Sequence, residues 1–97
     1  MQNILVNYDE TTGQITDLCL SDFGAICYKE TQTKDKDKDQ LIGTIEYMAP
    51  EFFDSKQKTY DERVDAWALG VILYMLLTIE FPFYDEDDNK LACKIKY

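Results

Sequence analysis

Apolar and polar positions divide the chain into two short apolar segments, a polar middle and one long apolar segment. The short segments, 3–6 and 14–20, are separated by the run Asp9-Glu10-Thr11-Thr12-Gly13. This run is rich in turn-forming residues, and Gly13 can adopt positive φ at no steric cost. The pattern therefore predicts two β-strands joined as a hairpin.

The long apolar segment covers residues 64–77, in which Asp65 is the only charged residue. It predicts a helix over about 62–78, and a helix that is apolar on almost every side is typically buried. With about fourteen apolar residues, it is too short to span a membrane. We expect Phe81-Pro82-Phe83 to end this helix, and another helix to begin within 89–97.

The polar middle of the chain contains few residues able to form a core. Residues 29–40 carry an alternating Lys-Asp run, which predicts a mobile loop. Residues 52–59 are expected to form a short helix and a loop.

Composition excludes several classes of protein. The net charge of −9 leaves no basic patch for nucleic acid. Three cysteines without C-x-x-C spacing, and no histidine, indicate neither a zinc site nor a disulfide framework. No signal sequence and no uncharged run of membrane-spanning length is present, so we expect a soluble intracellular protein, in the cytoplasm.

Two motifs and one helix carry the functional signal. Ser21-Asp22-Phe23-Gly24 follows an apolar run, and Gly43-Thr44-Ile45-Glu46-Tyr47-Met48-Ala49-Pro50-Glu51 follows the polar loop. Each motif alone is weak, but their order and spacing bracket an activation segment in the protein-kinase signature set. The segment 64–74 then supplies the apolar helix that follows these motifs in kinases.

From Asn3 to about Phe83, the chain resembles the C-lobe of eukaryotic protein kinases of the serine/threonine type. The resemblance implies an α+β, protein-kinase-like fold, here a C-lobe fragment that is mainly α with a small β-hairpin. Residues 1–97 would form a partial kinase domain, with 22–51 as its activation segment.

The resemblance implies ATP and Mg²⁺ as cofactors. Asp22 matches the aspartate that binds magnesium beside ATP, and Asn3 matches the asparagine that holds a second magnesium. Leu5 matches a strand residue that contacts adenine. Each has a plainer alternative: a turn aspartate for Asp22, a loop asparagine for Asn3 and a core leucine for Leu5. The complete motif set favours the ligand roles of Asp22 and Asn3, whereas the two readings of Leu5 are nearly equal.

The substrate implied by the resemblance is a protein with serine or threonine hydroxyls. Thr44 matches a threonine of the substrate-side loop in serine/threonine kinases. Thr31 and Thr33 are possible phosphorylation sites by position alone, and unmodified loop threonines are at least as consistent with the sequence. Oligomeric state is not indicated.

Four further residues have structural roles in the family. Phe23 and Gly24 belong to the motif of Asp22, and Gly24 is expected to let the backbone turn tightly. Asp65 matches a buried carboxylate that accepts hydrogen bonds from catalytic-loop amides. Glu51 matches a glutamate that pairs with an arginine much further along the chain.

Some of the family's parts do not occur in the 97 residues. There is no G-x-G-x-x-G loop and no V-A-I-K strand lysine. The family's catalytic aspartate would precede Met1, so we expect no catalytic Asp or Lys in the chain. The expected function is serine/threonine protein kinase activity, absent from the 97 residues alone. A non-catalytic kinase-like interaction protein and a truncated gene product are the alternatives.

Overall fold

The computed structural model describes residues 3–24, 26, 43–54 and 61–97. The predicted mobile loop, with Thr31 and Thr33, lies outside the described residues. So does most of the segment predicted as a short helix and loop, although its first residues fall in a described 3-10 helix. In the part of the chain that is described, no helix is long and apolar enough to cross a membrane.

The first two elements form the predicted hairpin. Strand β1, Ile4–Tyr8, pairs antiparallel with strand β2, Ile15–Leu20. The register joins Ile4 to Leu20 and Asn7 to Asp17, with an irregularity between Asn7 and Tyr8. Strand β1 extends two residues beyond the apolar segment 3–6 from which it was predicted, to include Asn7 and Tyr8.

The hairpin turn is built on the side chain of Asp9. Its Oδ1 accepts hydrogen bonds from the N–H groups of Thr11, at 2.7 Å, and Thr12, at 2.9 Å. Gly13, with φ 69°, donates its N–H to the Asp9 carbonyl oxygen at 2.7 Å. The bonds from Thr12 and Thr11 lower the pKa of Asp9 below its ordinary value, because they favour the ionised carboxylate.

Replacing Asp9 by alanine is expected to accelerate amide hydrogen exchange at Thr11 and Thr12, because both N–H groups lose their acceptor. A carboxyl whose folded pKa is lowered stabilises the fold above its unfolded pKa, and this stabilisation is lost as the pH falls through the folded pKa. The difference between Asp9→Ala and the unmodified chain should therefore shrink in acid. Glu10→Ala, at the neighbouring exposed carboxylate, is the control. Equal exchange rates in Asp9→Ala and the unmodified chain at neutral pH would contradict the role of Asp9.

The second half of the chain contains two 3-10 helices, Ile45–Tyr47 and Pro50–Phe53, and two α-helices. Helix α1 covers Arg63–Thr78 and helix α2 covers Asp88–Lys96, close to the predicted bounds. Helix α2 begins at a side-chain cap, as is usual for an aspartate before the first turn. Asp87 Oδ1 accepts hydrogen bonds from the N–H groups of Asn89, at 2.8 Å, and Lys90, at 3.2 Å.

Helix α1 ends before the predicted Phe81-Pro82-Phe83 stop. Ile79 follows its last residue with φ 64° and ψ 14°, and the Ile79 N–H donates to the Met75 carbonyl oxygen at 2.8 Å. This left-handed position after a helix usually holds glycine, because a side chain there crowds the backbone. A β-branched residue with φ in this region is a strained exception.

Ile79→Gly is expected to stabilise the fold by about 1 kcal/mol, since glycine adopts the left-handed conformation without the cost of 1–2 kcal/mol that other residues bear. The Ile79 side chain is 91% exposed, so little packing is lost. Urea unfolding followed by far-ultraviolet circular dichroism, in dilute protein, measures the change. The matched control is Leu73→Gly, which places glycine inside α1 and should destabilise it. An unfolding midpoint for Ile79→Gly at or below that of the unmodified chain would refute the strain.

A small apolar core joins the helices to the 3-10 helices. Its buried members are Met48, Ala49, Val71, Leu91 and Ile95. Helix α1 packs on the first 3-10 helix, and α2 packs on both. Among the described elements, the hairpin contacts neither helix, so the two strands and the helical part are separate in their packing.

One ion pair and two lysine hydrogen bonds to backbone carbonyl oxygens hold α2 in place. Lys94 Nζ lies 2.9 Å from Asp85 Oδ2 and donates to the Tyr84 carbonyl oxygen at 2.8 Å. Lys96 Nζ donates to the Phe53 carbonyl oxygen at 3.4 Å. These contacts fasten α2 to the loop before it and to the second 3-10 helix.

The predicted burial of α1 on every side is wrong for this structure. Val71 is the buried residue of α1, whereas four leucines on it are 57–77% exposed: Leu69, Leu73, Leu76 and Leu77. Phe83 stacks on Trp67 of this helix, and the first 3-10 helix packs against it. Because few described elements pack on the rest, an apolar sequence remains in contact with water.

Candidate functional site

The hairpin brings the two predicted magnesium ligands to the same end of the sheet. Ile4 pairs with Leu20, and just beyond this pair the Ser21 N–H donates to the Asn3 carbonyl oxygen at 2.9 Å. Asn3 therefore enters β1 beside the point where the chain leaves β2 toward Asp22. Residues far apart in sequence become neighbours because the strands are antiparallel.

Asp22 adopts an unusual backbone conformation. Its φ is 64°, in the left-handed region, where residues other than glycine are uncommon and aspartate is among the more tolerated. Strained residues of this kind concentrate at functional sites. Positive φ occurs at Asp22, whereas Gly24, which was expected to let the backbone turn tightly, does not have positive φ.

The Asp22 side chain is exposed at this end of the hairpin. Its Oδ1 accepts a long hydrogen bond, 3.4 Å, from the Gly24 N–H, as in a turn closed by an aspartate side chain. The alternative interpretation of Asp22 was that of a turn aspartate. The observed hydrogen bond shows that its side chain does contribute to the turn. An exposed carboxylate of this kind can still bind a cation with its remaining lone pairs.

The donor atoms available here suit magnesium. A carboxylate from Asp22 and an amide oxygen from Asn3 are hard oxygen donors, and magnesium usually combines one or two carboxylates with water and substrate phosphates. Within the described residues, no group of three or more His, Cys, Asp or Glu side chains could hold a metal ion. The residues therefore fit a shared magnesium–phosphate site and not an all-protein cage.

Leu5 and Phe23 flank this end of the hairpin. Leu5 is 55% exposed and lies opposite Cys19 in the register. The structure thus does not place Leu5 in a core, which was its alternative role. Phe23 is also exposed. Leu5, one strand pair in from Ile4–Leu20, and Phe23, adjacent to Asp22 in sequence, thus both expose apolar side chains.

Thr44 lies at the start of the first 3-10 helix, in a loop anchored by buried neighbours. The Thr44 side chain is exposed, and its carbonyl oxygen accepts the Tyr47 N–H at 3.1 Å. Gly43 precedes it with φ 137°, a conformation open essentially to glycine, and a Cβ there would lie 3.2 Å from Met48 Cε. Burial of Met48 and Ala49 then fixes the loop while leaving Thr44 accessible.

Glu51 is half-buried in the second 3-10 helix and influences Arg63. Arg63 forms a two-pronged contact with Asp61, donating from Nη2 to Oδ2 at 2.7 Å and from Nε to Oδ1 at 2.9 Å. Asp61 raises the pKa of Arg63, and the charges of Glu51 and Glu62 add to this effect. Sequence analysis did not identify Arg63. The two acidic residues before it, Asp61 and Glu62, could have indicated an ion pair at this position.

Asp65 does not occupy the predicted buried position. It lies in the first turn of α1 and is exposed. The prediction of a buried carboxylate depended on burial of the whole helix, and this part of α1 is uncovered. Asp65 therefore remains in contact with water in this structure.

An apolar groove runs between α1 and the loop that follows it. Its volume is about 370 Å³, and Trp67 and Phe83 stack across it with ring centroids 6.2 Å apart. The buried Trp67 Nε1 has no hydrogen-bond partner among the described residues. Sequence analysis did not predict this groove, because a tryptophan within an apolar helix is typical of a buried core residue. The lining residues are Ala66, Trp67, Gly70, Val71, Tyr74, Pro82 and Phe83.

Comparisons with known proteins agree on one family. Residues 1–96 match the family model described as protein kinase domain. The chain is 43% identical over 95 residues to the serine/threonine protein kinase ypkA of Aspergillus fumigatus, covering 97% of this chain and 13% of that protein. It is 44% identical over 95 residues to the serine/threonine-protein kinase YPK1 of Saccharomyces cerevisiae, covering 97% of this chain and 12% of that protein. For the human serine/threonine-protein kinase H2, identity is 41% over 83 residues, 86% of this chain and 21% of that protein. The chain thus spans about an eighth to a fifth of the length of these relatives.

Proposed function

The chain belongs to the protein kinase family, and on that basis we propose that it forms part of a domain that phosphorylates proteins. The reaction is transfer of the ATP γ-phosphoryl group to serine or threonine hydroxyls. The relatives above are named serine/threonine kinases, which supports the choice of acceptor. The exposed Thr44, within the activation segment 22–51, supports it as well.

The observation that carries the proposal is the Ser21–Asn3 hydrogen bond with left-handed Asp22 beside it. Asn3 would supply an amide oxygen and Asp22 a carboxylate to magnesium bound with ATP. When bound, magnesium neutralises charge on the transferring phosphates. The role of the two residues is to fix the position of those phosphates relative to the acceptor hydroxyl.

Two further side chains have assigned roles in this proposal. Leu5, exposed on β1, would contact the adenine ring. Thr44 lines the acceptor side, held by the buried Met48 and Ala49. Both roles require surfaces that a protein substrate or nucleotide can reach, and the exposure of both side chains meets this requirement.

A chimeric kinase tests the proposal. The 97 residues contain neither a G-x-G-x-x-G loop nor a V-A-I-K lysine. The test therefore places them in a kinase domain that contains both. Residues of this chain replace the 95 aligned residues of YPK1. We expect the chimera to transfer phosphate from ATP to a serine or threonine peptide and not to a tyrosine peptide.

The controls of this experiment separate folding from chemistry. Unmodified YPK1 gives the reference rate, and ATP binding by calorimetry shows whether the chimera forms its nucleotide site. A chimera that folds and binds ATP with magnesium but transfers no phosphate would overturn the proposal. That result would favour a non-catalytic, kinase-like interaction protein.

A further inference from the structure

We draw no further inference here: the strongest candidate, the apolar groove between α1 and residues 82–83, with a Trp67 indole N–H in its wall that has no partner among the described residues, carries none because nothing in the structure shows what covers it.

Discussion

Replacing Asp22 by asparagine in the chimeric kinase is expected to lower the rate of phosphoryl transfer by about a hundredfold or more. The change removes one negative charge from the magnesium site while keeping the size of the side chain. Charge stabilisation by a positioned metal contributes several kcal/mol to such reactions, and loss of one positioned group commonly costs about 10²–10³ in rate. Asparagine also tolerates the left-handed conformation that Asp22 adopts, so the backbone should be preserved.

The matched control is Asp17→Asn, which removes a charge from an exposed aspartate on β2, the strand that precedes Asp22. Asp17 Oδ1 accepts the N–H of its neighbour Leu18 at 2.9 Å, and no motif assigns it a ligand role. We expect Asp17→Asn to retain the rate of the unmodified chimera. Rates are measured over a range of magnesium concentrations, since a weakened metal site should shift the dependence to higher magnesium. Equal rates for Asp22→Asn and Asp17→Asn, with both proteins folded, would exclude Asp22 as a magnesium ligand.

The placement of Asn3 and Asp22 at one end of the hairpin was predictable from the sequence, because the two predicted strands lie between them. The conformation of Asp22 was not. The motif Ser21-Asp22-Phe23-Gly24 ends in glycine, which indicates a tight turn, but the positive φ occurs at Asp22, two positions before that glycine. Local sequence shows that a turn occurs but does not determine which residue bears the strain.

The positions of the elements were predictable and the burial of α1 was not. Turn residues from Asp9 to Gly13 and an uninterrupted apolar run locate the hairpin and α1 to within a few residues. Burial of a helix depends on which other elements pack against it, and the hydrophobic pattern of the helix contains no information about those elements. The exposure of Asp65 has the same cause, because its burial was predicted from the burial of its helix.

The exposed leucines of α1 lead to an expected result for the 97-residue chain in solution. Leu69, Leu73 and Leu77 recur at a spacing of four and are 67%, 57% and 77% exposed. Residues at this spacing lie along one face of a helix. Contiguous apolar surface of this kind drives association in water. We therefore expect the chain to self-associate, and to show weak near-ultraviolet circular dichroism and a broad thermal transition.

Lysine substitution at these three leucines should shift the chain toward monomer, because each charge must be desolvated for the face to pack against another molecule. The matched control places three lysines on the exposed hairpin, at Thr12, Gln14 and Thr16. Both variants gain the same charge, so a general effect of net charge changes them equally and only the leucine variant loses apolar surface. Size-exclusion chromatography with light scattering measures the mass of each. If the unmodified chain elutes as a sharp monomer and unfolds cooperatively, the exposed face of α1 does not drive association. If the two triple variants gain monomer equally, net charge and not the leucine face sets the association.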